Sequence, residues 1–97
     1  MKTPMSEGIG DKIISKSKST SASYTIAVGS SQNIDIDITE TGYTPIGIVG
    51  LSFSGGRPDV AAFYVRTDTE ARLIAKNDST SSITITGASA FILYKKI

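Results

Sequence analysis

The chain of 97 residues contains no cysteine, no histidine and no tryptophan. The lack of cysteine excludes disulfides and thiolate chemistry, and the lack of histidine removes most general-base and nucleophile arrangements. A net charge of +1 with 20% charged residues creates no broad electrostatic field, so nucleic acid is not an expected partner. No apolar run approaches the roughly 20 residues of a membrane-spanning helix, and we therefore expect no membrane insertion.

The N-terminal stretch is polar and rich in glycine and serine. Residues 1–10, MKTPMSEGIG, have no apolar core of the kind found in secretory signals, so we expect no signal peptide. The length corresponds to one domain. We divide the chain into a lead segment, residues 1–18, which is either flexible or an added strand, and a β-sandwich domain, residues 19–97.

Two segments in the first half alternate between apolar and polar residues. Residues 33–39, NIDIDIT, place Ile34, Ile36 and Ile38 on one face, which is typical of a strand with one buried side. Residues 24–28 alternate in the same way, with Val28 on the apolar face. The turn-forming residues 29–31 predict that these two strands are joined in a hairpin or meander.

The second half contains further strand patterns. Residues 60–66 and 71–76 flank a hairpin-sized TDTE loop, and residues 81–87 alternate isoleucine with threonine. Residues 88–96 form a closing strand with two apolar faces, which we expect to be central or at an oligomer interface. With seven to eight short strands, regular turn signals and no helix, the fold class is all-β: an antiparallel, jelly-roll-like β-sandwich.

The stretch TGYTPIGIVG, residues 41–50, mixes strand formers with residues that break strands. Gly42 fits a turn, and Pro45 fits a strand entry or a sheet edge. The side-chain parity changes within this stretch, so Gly50 is the expected site of a bulge that corrects the register. Gly47 has no local explanation, which suggests the close approach of an aromatic side chain or of a second chain.

Five polar or aromatic residues are candidates for ligand binding. Tyr64 and Arg66 alternate with the apolar residues of their strand, and Asp68 follows in the loop; together they form a possible stacking patch for a sugar. Arg57 and Asp59 flank Pro58 in SGGRPD, which suggests a recognition loop. The competing interpretations are ordinary packing of Tyr64 and a plain glycine turn.

The acidic residues offer the remaining chemistry. Asp35 and Asp37 are about 7 Å apart along a strand, a spacing compatible with glycoside hydrolysis, and together with Glu40 they are possible Ca²⁺ ligands. However, they alternate with core isoleucines on an open face and match no calcium-loop spacing. We therefore expect a solvated strand face, no metal or other cofactor, and no enzymatic activity.

The order of these motifs carries a family resemblance. A YTIAVGSS strand and turn precedes NIDIDIT and GYTPIGIVG, and FILYKK lies at the end of the chain. Over residues 16–97 the sequence resembles the small all-β domains at the distal ends of bacteriophage and prophage tail, baseplate or fibre proteins. The resemblance implies synthesis in a bacterial cytoplasm, a place on the virion surface and a homo-oligomer, with a trimer favoured. It also implies contacts with other virion proteins or a host-surface glycan.

The leading functional hypothesis is therefore a non-catalytic virion surface domain for particle assembly or host attachment. The alternative is a monomeric carbohydrate-binding module of a bacterial protein. For the first hypothesis, the expected oligomer interface contains Tyr43, Gly47, Ile92 and Tyr94, because the two strands that carry them are apolar on both sides.

Overall fold

The computed structural model describes residues 12–97 of the chain. These residues form an antiparallel β-sandwich of seven strands, as predicted from the alternation of apolar and polar residues. The strands are β1 (Ile13–Thr20), β2 (Tyr24–Ile26), β3 (Ser31–Asp37), β4 (Tyr43–Gly55), β5 (Asp59–Thr67), β6 (Glu70–Lys76) and β7 (Ile83–Lys96).

The strands are divided between two sheets. In sheet A, β7 is central, with β4 along one edge and with β1 and β2 sharing the other. In sheet B, β6 is central between β3 and β5. The sandwich therefore has two long sides. The β1–β3 side is bordered by β1, β2 and β3, and the β4–β5 side is bordered by β4 and β5.

The core is built from short and β-branched side chains of both sheets. In sheet B the predicted inward row Ile34, Ile36 and Ile38 is completely buried. In sheet A the buried row lies along β7. Stiff β-branched side chains pack well between pleated surfaces. The core contains Ile26, Ile34, Ile36, Ile38, Ala71, Leu73, Ala75, Ile85, Ala88, Ala90, Ile92 and Tyr94.

The C-terminal region is one continuous strand, β7, where the sequence suggested two. Ser54 pairs with Gly87 and Gly55 pairs with Ile85, so Thr86 is an extra residue that shifts the register. A shift of one residue moves the inward row from odd to even positions. Because of this change of parity, the alternation in the sequence looked like two strands, residues 81–87 and 88–96. The expected central position of the strand is confirmed.

The predicted hairpin between β2 and β3 is wrong. β2 pairs with β7 in sheet A, whereas β3 pairs with β6 in sheet B, so the chain crosses between the sheets within residues 27–30. Because β2 ends at Ile26, Val28 lies in this crossing and is exposed rather than buried.

β4 contains the irregularities that TGYTPIGIVG predicted. Gly42 has a positive φ of 85° in the turn before the strand, and Pro45 lies on an edge strand. The ladder with β7 shifts between Pro45 and Gly47 and again between Ile48 and Gly50. The second shift confirms a bulge at this junction, but the extra residue is Val49, and the adjacent Gly50 pairs with Phe91. A Cβ on Gly50 would lie 3.0 Å from the Phe91 ring, whereas nothing within residues 12–97 lies within 4 Å of a Cβ on Gly47. The aromatic side chain expected near Gly47 is therefore found at Gly50 instead.

β1 pairs along the C-terminal half of β7, from Ile13 opposite Lys95 to Thr20 opposite Ala88. The strand alternative for the lead segment therefore holds from Ile13 onward. The predicted boundary between residues 18 and 19 falls inside this strand. The rest of the predicted lead segment, residues 1–11, lies outside the described residues.

Candidate binding surfaces

The outer face of sheet B carries a polar row across all three strands. Asp35, Arg72 and Tyr64 occupy directly opposite positions on β3, β6 and β5. The Arg72 guanidinium donates to both Asp35 carboxylate oxygens, at 2.8 and 3.1 Å. This pairing, helped by Tyr64, raises the pKa of Arg72. Tyr64 is 42% exposed, so the row combines an aromatic surface with fixed charges. We call it the polar face.

The five ligand-binding candidates divide between two places. Tyr64 lies on the polar face, and Arg66 pairs nearby with Glu70 across the β5–β6 hairpin. Asp68 is in the turn of that hairpin, beyond the end of the sheet. Arg57 precedes β5 and Asp59 begins it, at the other end of the strand. The structure thus brings Tyr64 and Arg66 onto one surface and leaves the SGGRPD residues apart from them.

The two carboxylates considered for glycoside hydrolysis are held in their ionised forms. Hydrogen bonds from Arg72 lower the pKa of Asp35, and hydrogen bonds from the Thr39 backbone and hydroxyl lower the pKa of Asp37. The general acid of that reaction requires a raised pKa. The environment of both groups therefore favours ion pairing and turn capping over proton donation.

The β1–β3 side of the sandwich is closed by polar side chains. Lys18 Nζ donates to Glu40 Oε1 at 2.8 Å and to the Thr39 carbonyl oxygen at 3.1 Å, and Lys16 pairs with the same carboxylate. The buried Tyr94 hydroxyl donates to the Ile38 carbonyl oxygen at 2.6 Å. Lys16 and Lys18 thus reach from β1 to the residues that follow Ile38 and join the two sheets along this side.

The β4–β5 side is not closed in this way. Phe63 is opposite Leu73, and Val60 is opposite Ala75, so both take inward positions on β5. Their partners on β6 are completely buried, yet Phe63 is 50% exposed and Val60 is 37% exposed. Within residues 12–97, no ion pair joins β4 to β5 as Lys16 and Lys18 join β1 to Glu40. We call this surface the open side.

A cleft of about 310 Å³ lies on the open side. Leu51 and Phe53 take inward positions on β4, opposite Ala90 and Ala88 of β7. Arg57 and the buried Pro58 form the end of the cleft nearest β5. Its volume is at the lower limit for small-molecule sites, so it fits a large side chain better than a cofactor.

The outer face of sheet A is a third exposed surface. It carries Phe91, which is 44% exposed, and Leu93 along β7. Serines of β1 and the two glycines of β4 lie opposite these residues on either side. Ile46 and Val49, the extra residues at the two bulges, are exposed beside them. Phe91 therefore provides an exposed aromatic side chain on the opposite sheet from Tyr64.

The four predicted interface residues differ in how deeply they are buried. Ile92 and Tyr94 are completely buried in the core of their own chain, so they are removed from the interface candidates; the apolar faces of β7 reflect its central position. Tyr43 is half-buried against the core. Gly47 remains on the surface, with open space above it.

Sequence reasoning missed Phe63 as a surface residue. Alternation with Tyr64 and Arg66 places Phe63 on the opposite face of β5, which is the inner face, but alternation does not reveal whether another layer covers that face. The sequence of β4 contains the feature that could have indicated this exposure. Its proline and two bulges are typical of an irregular edge strand, and such a strand covers the facing sheet incompletely.

Among the described residues, no three acidic side chains come together as metal ligands, and no helix is long and apolar enough to span a membrane. Comparisons with family models, curated proteins and solved structures found no match to this chain. The phage resemblance therefore remains a prediction based on the sequence motifs.

Proposed function

We propose that this chain is a non-catalytic surface domain of a phage-type virion that assembles with copies of itself and contributes to host attachment. The observation that carries the proposal is the open side, where the inward-facing Phe63 and Val60 remain substantially exposed. Exposed apolar patches beyond the ordinary scatter of single residues mark interaction sites.

The assembly part is tested by sedimentation equilibrium across a concentration series. A chain mass of 10.2 kDa predicts an observed mass that rises to an integral multiple of this value, three being favoured by the family resemblance. A mass that stays at one chain throughout the micromolar range contradicts assembly.

The virion part is tested by immunogold electron microscopy of phage particles produced from the source genome. Antibodies against the domain should label one end of the tail or the fibres. Particles without label, examined beside particles labelled for a known tail protein, would contradict a place on the virion.

A second candidate, a monomeric carbohydrate-binding module, is favoured by the polar face. Tyr64 offers a ring for stacking, and the Arg72–Asp35 pair offers fixed donors and acceptors for hydroxyl groups. A saccharide array distinguishes the candidates when wild type is compared with Tyr64→Ala and Phe91→Ala. These two substitutions remove aromatic residues of similar exposure from opposite sheets. A hit lost only in Tyr64→Ala, from a protein that sediments as a monomer, favours the module.

A further inference from the structure

The inward face of β5 lacks the cover that the rest of the sandwich interior has. β3 and β5 pair with opposite edges of β6, so their inward rows should be equivalent. Ile36 of β3 is completely buried, whereas Phe63 of β5 is half exposed. A large apolar side chain on a core-facing position gains its full hydrophobic free energy only when it is covered. Additional cover over Phe63 would therefore bring a hydrophobic gain that the single chain does not have.

An incoming β-strand is a poor occupant for this side. Strand addition requires a regular row of free backbone groups. The ladder of β4 with β7 shifts register three times, and the ladder of β5 with β6 shifts twice. Bulges of this kind twist an edge away from a regular partner and prevent edge-to-edge pairing. Cover must therefore come mainly from side chains.

Two charges at the start of β5 bear on the choice of occupant. Arg57 and Asp59 are exposed on either side of the buried Pro58, and neither makes an ion pair within residues 12–97. One positive and one negative charge at the edge of an apolar surface are complementary to the same surface of another copy. A symmetric arrangement in which Arg57 of each copy meets Asp59 of its neighbour would pair both charges.

We propose that the open sides of the copies face each other in the assembly, so that Phe63 and Val60 of one copy pack against the open side of the next. This inference rests on the proposed assembly and names the partner as a second copy of this chain. The cleft bordered by Leu51, Phe53 and Arg57 receives apolar side chains of the neighbour. The pairs formed by Arg57 and Asp59 surround this contact.

The experiment compares two aromatic substitutions by sedimentation equilibrium. Phe63→Ser should weaken association by about 30-fold or more, as expected for a central apolar contact. Phe91→Ser removes a side chain of similar exposure from the outer face of sheet A and should change association by less than about threefold. Circular dichroism and urea unfolding establish that each variant is folded.

A charge exchange provides a second test that does not alter the apolar residues. Arg57→Asp places two negative charges at each contact and should weaken association by about tenfold. Adding Asp59→Arg reverses both signs, and the double variant should recover association to within about threefold. Both positions are exposed, so the exchange also decides the question if Phe63→Ser does not fold.

The outcomes separate this inference from the proposal on which it rests. If wild type assembles but Phe91→Ser dissociates it while Phe63→Ser does not, the copies meet on the outer face of sheet A. The open-side inference is then overturned and the assembly proposal stands. If the double charge exchange fails to restore what Arg57→Asp weakened, the proposed ion pairs are wrong. A wild-type monomer at every concentration overturns both.

Discussion

β3 and β5 occupy equivalent places in sheet B, yet their inward faces differ. Ile34, Ile36 and Ile38 on or beside β3 are completely buried, whereas Phe63 and Val60 on β5 are substantially exposed. The difference lies in the opposite sheet. β1 extends Lys16 and Lys18 to Glu40 beside β3, while β4 contributes Leu51 and Phe53 to the core but leaves Phe63 and Val60 exposed.

The comparison teaches that closure of the sandwich is asymmetric. The β1–β3 side is completed within the chain by hydrogen bonds and ion pairs, so its residues stabilise the monomer. The β4–β5 side retains apolar side chains that are available to another molecule. Stability should therefore depend mainly on the first side, and association on the second.

The largest expected effect comes from shortening one inward side chain on each strand. Ile36→Ala should lower the free energy of unfolding by about 2–5 kcal/mol, because it leaves a cavity in a filled core. Phe63→Ala should cost the monomer only about 1 kcal/mol, since half of the side chain is already in solvent. Urea unfolding at a concentration below association measures both values. An equal loss in the two variants would contradict the asymmetry.

Removing the Asn77 side chain, which links the two sheets just after β6, should have the next largest effect on the free energy of unfolding. Buried Asn77 donates to the carbonyl oxygens of Ile26 and Ser81, at 2.9 and 2.8 Å, and accepts from Ser79. Asn77→Ala leaves these groups without their partner and should cost about 2–3 kcal/mol. The exposed Asn33→Ala on β3 is the control and should stay within about 0.5 kcal/mol. Similar values in urea unfolding would mean that the link is dispensable.

Removing the Tyr94 hydroxyl group tests the hydrogen bond that joins β7 to the residue after β3 on the β1–β3 side. Tyr94→Phe leaves the Ile38 carbonyl oxygen without its donor in a buried place and should cost about 1–2 kcal/mol. Tyr64→Phe, on the polar face, should change the free energy of unfolding by less than about 0.5 kcal/mol. The expectation fails if thermal unfolding midpoints shift equally in the two variants.

The smallest expected effect concerns Glu40 and pH. Hydrogen bonds from Lys18 and Lys16 lower the pKa of Glu40 below its ordinary value of 4.5. Because the pKa is lower in the folded state, the stabilisation is present above the unfolded value and is lost as pH falls through the folded value.

Glu40→Gln should therefore reduce stability at pH 7 and make the loss of stability on acidification smaller. Urea midpoints measured at pH 7 and pH 3 test this, and high salt should reduce the difference between the variants at pH 7 because it screens exposed pairs. An unchanged acid dependence in Glu40→Gln would remove Glu40 from the closure of the β1–β3 side.

The parts of the fold that were predictable from sequence depend on local alternation. The isoleucine row of β3, the β5–β6 hairpin and the bulge beside Gly50 follow from period-two patterns and from the behaviour of glycine in strands. These features are determined by neighbours in the chain, so a single sequence contains the necessary information.

The parts that were not predictable depend on how the layers meet. Residues 27–30 suit a hairpin or a crossing between sheets equally well, and only the pairing of β2 with β7 decides between them. The exposure of Phe63 depends on how β4 of the other sheet lies against β5, and alternation within β5 contains no information about that. The polar row of Asp35, Arg72 and Tyr64 likewise depends on register across three strands.

In the proposed assembly, the open side of one copy contacts the open side of another. Since the chain has no cysteine, Ser52→Cys introduces a single attachment point for a spin label beside the cleft. Spin-labelled chains at natural isotope abundance are mixed with ¹⁵N-labelled chains that carry no spin label. In the NMR spectrum of the ¹⁵N-labelled chains, the amide signals of Val60 and Phe63 should be broadened, because the spin label of a neighbouring copy lies close to them. Unchanged Val60 and Phe63 signals in an assembled sample would contradict the account.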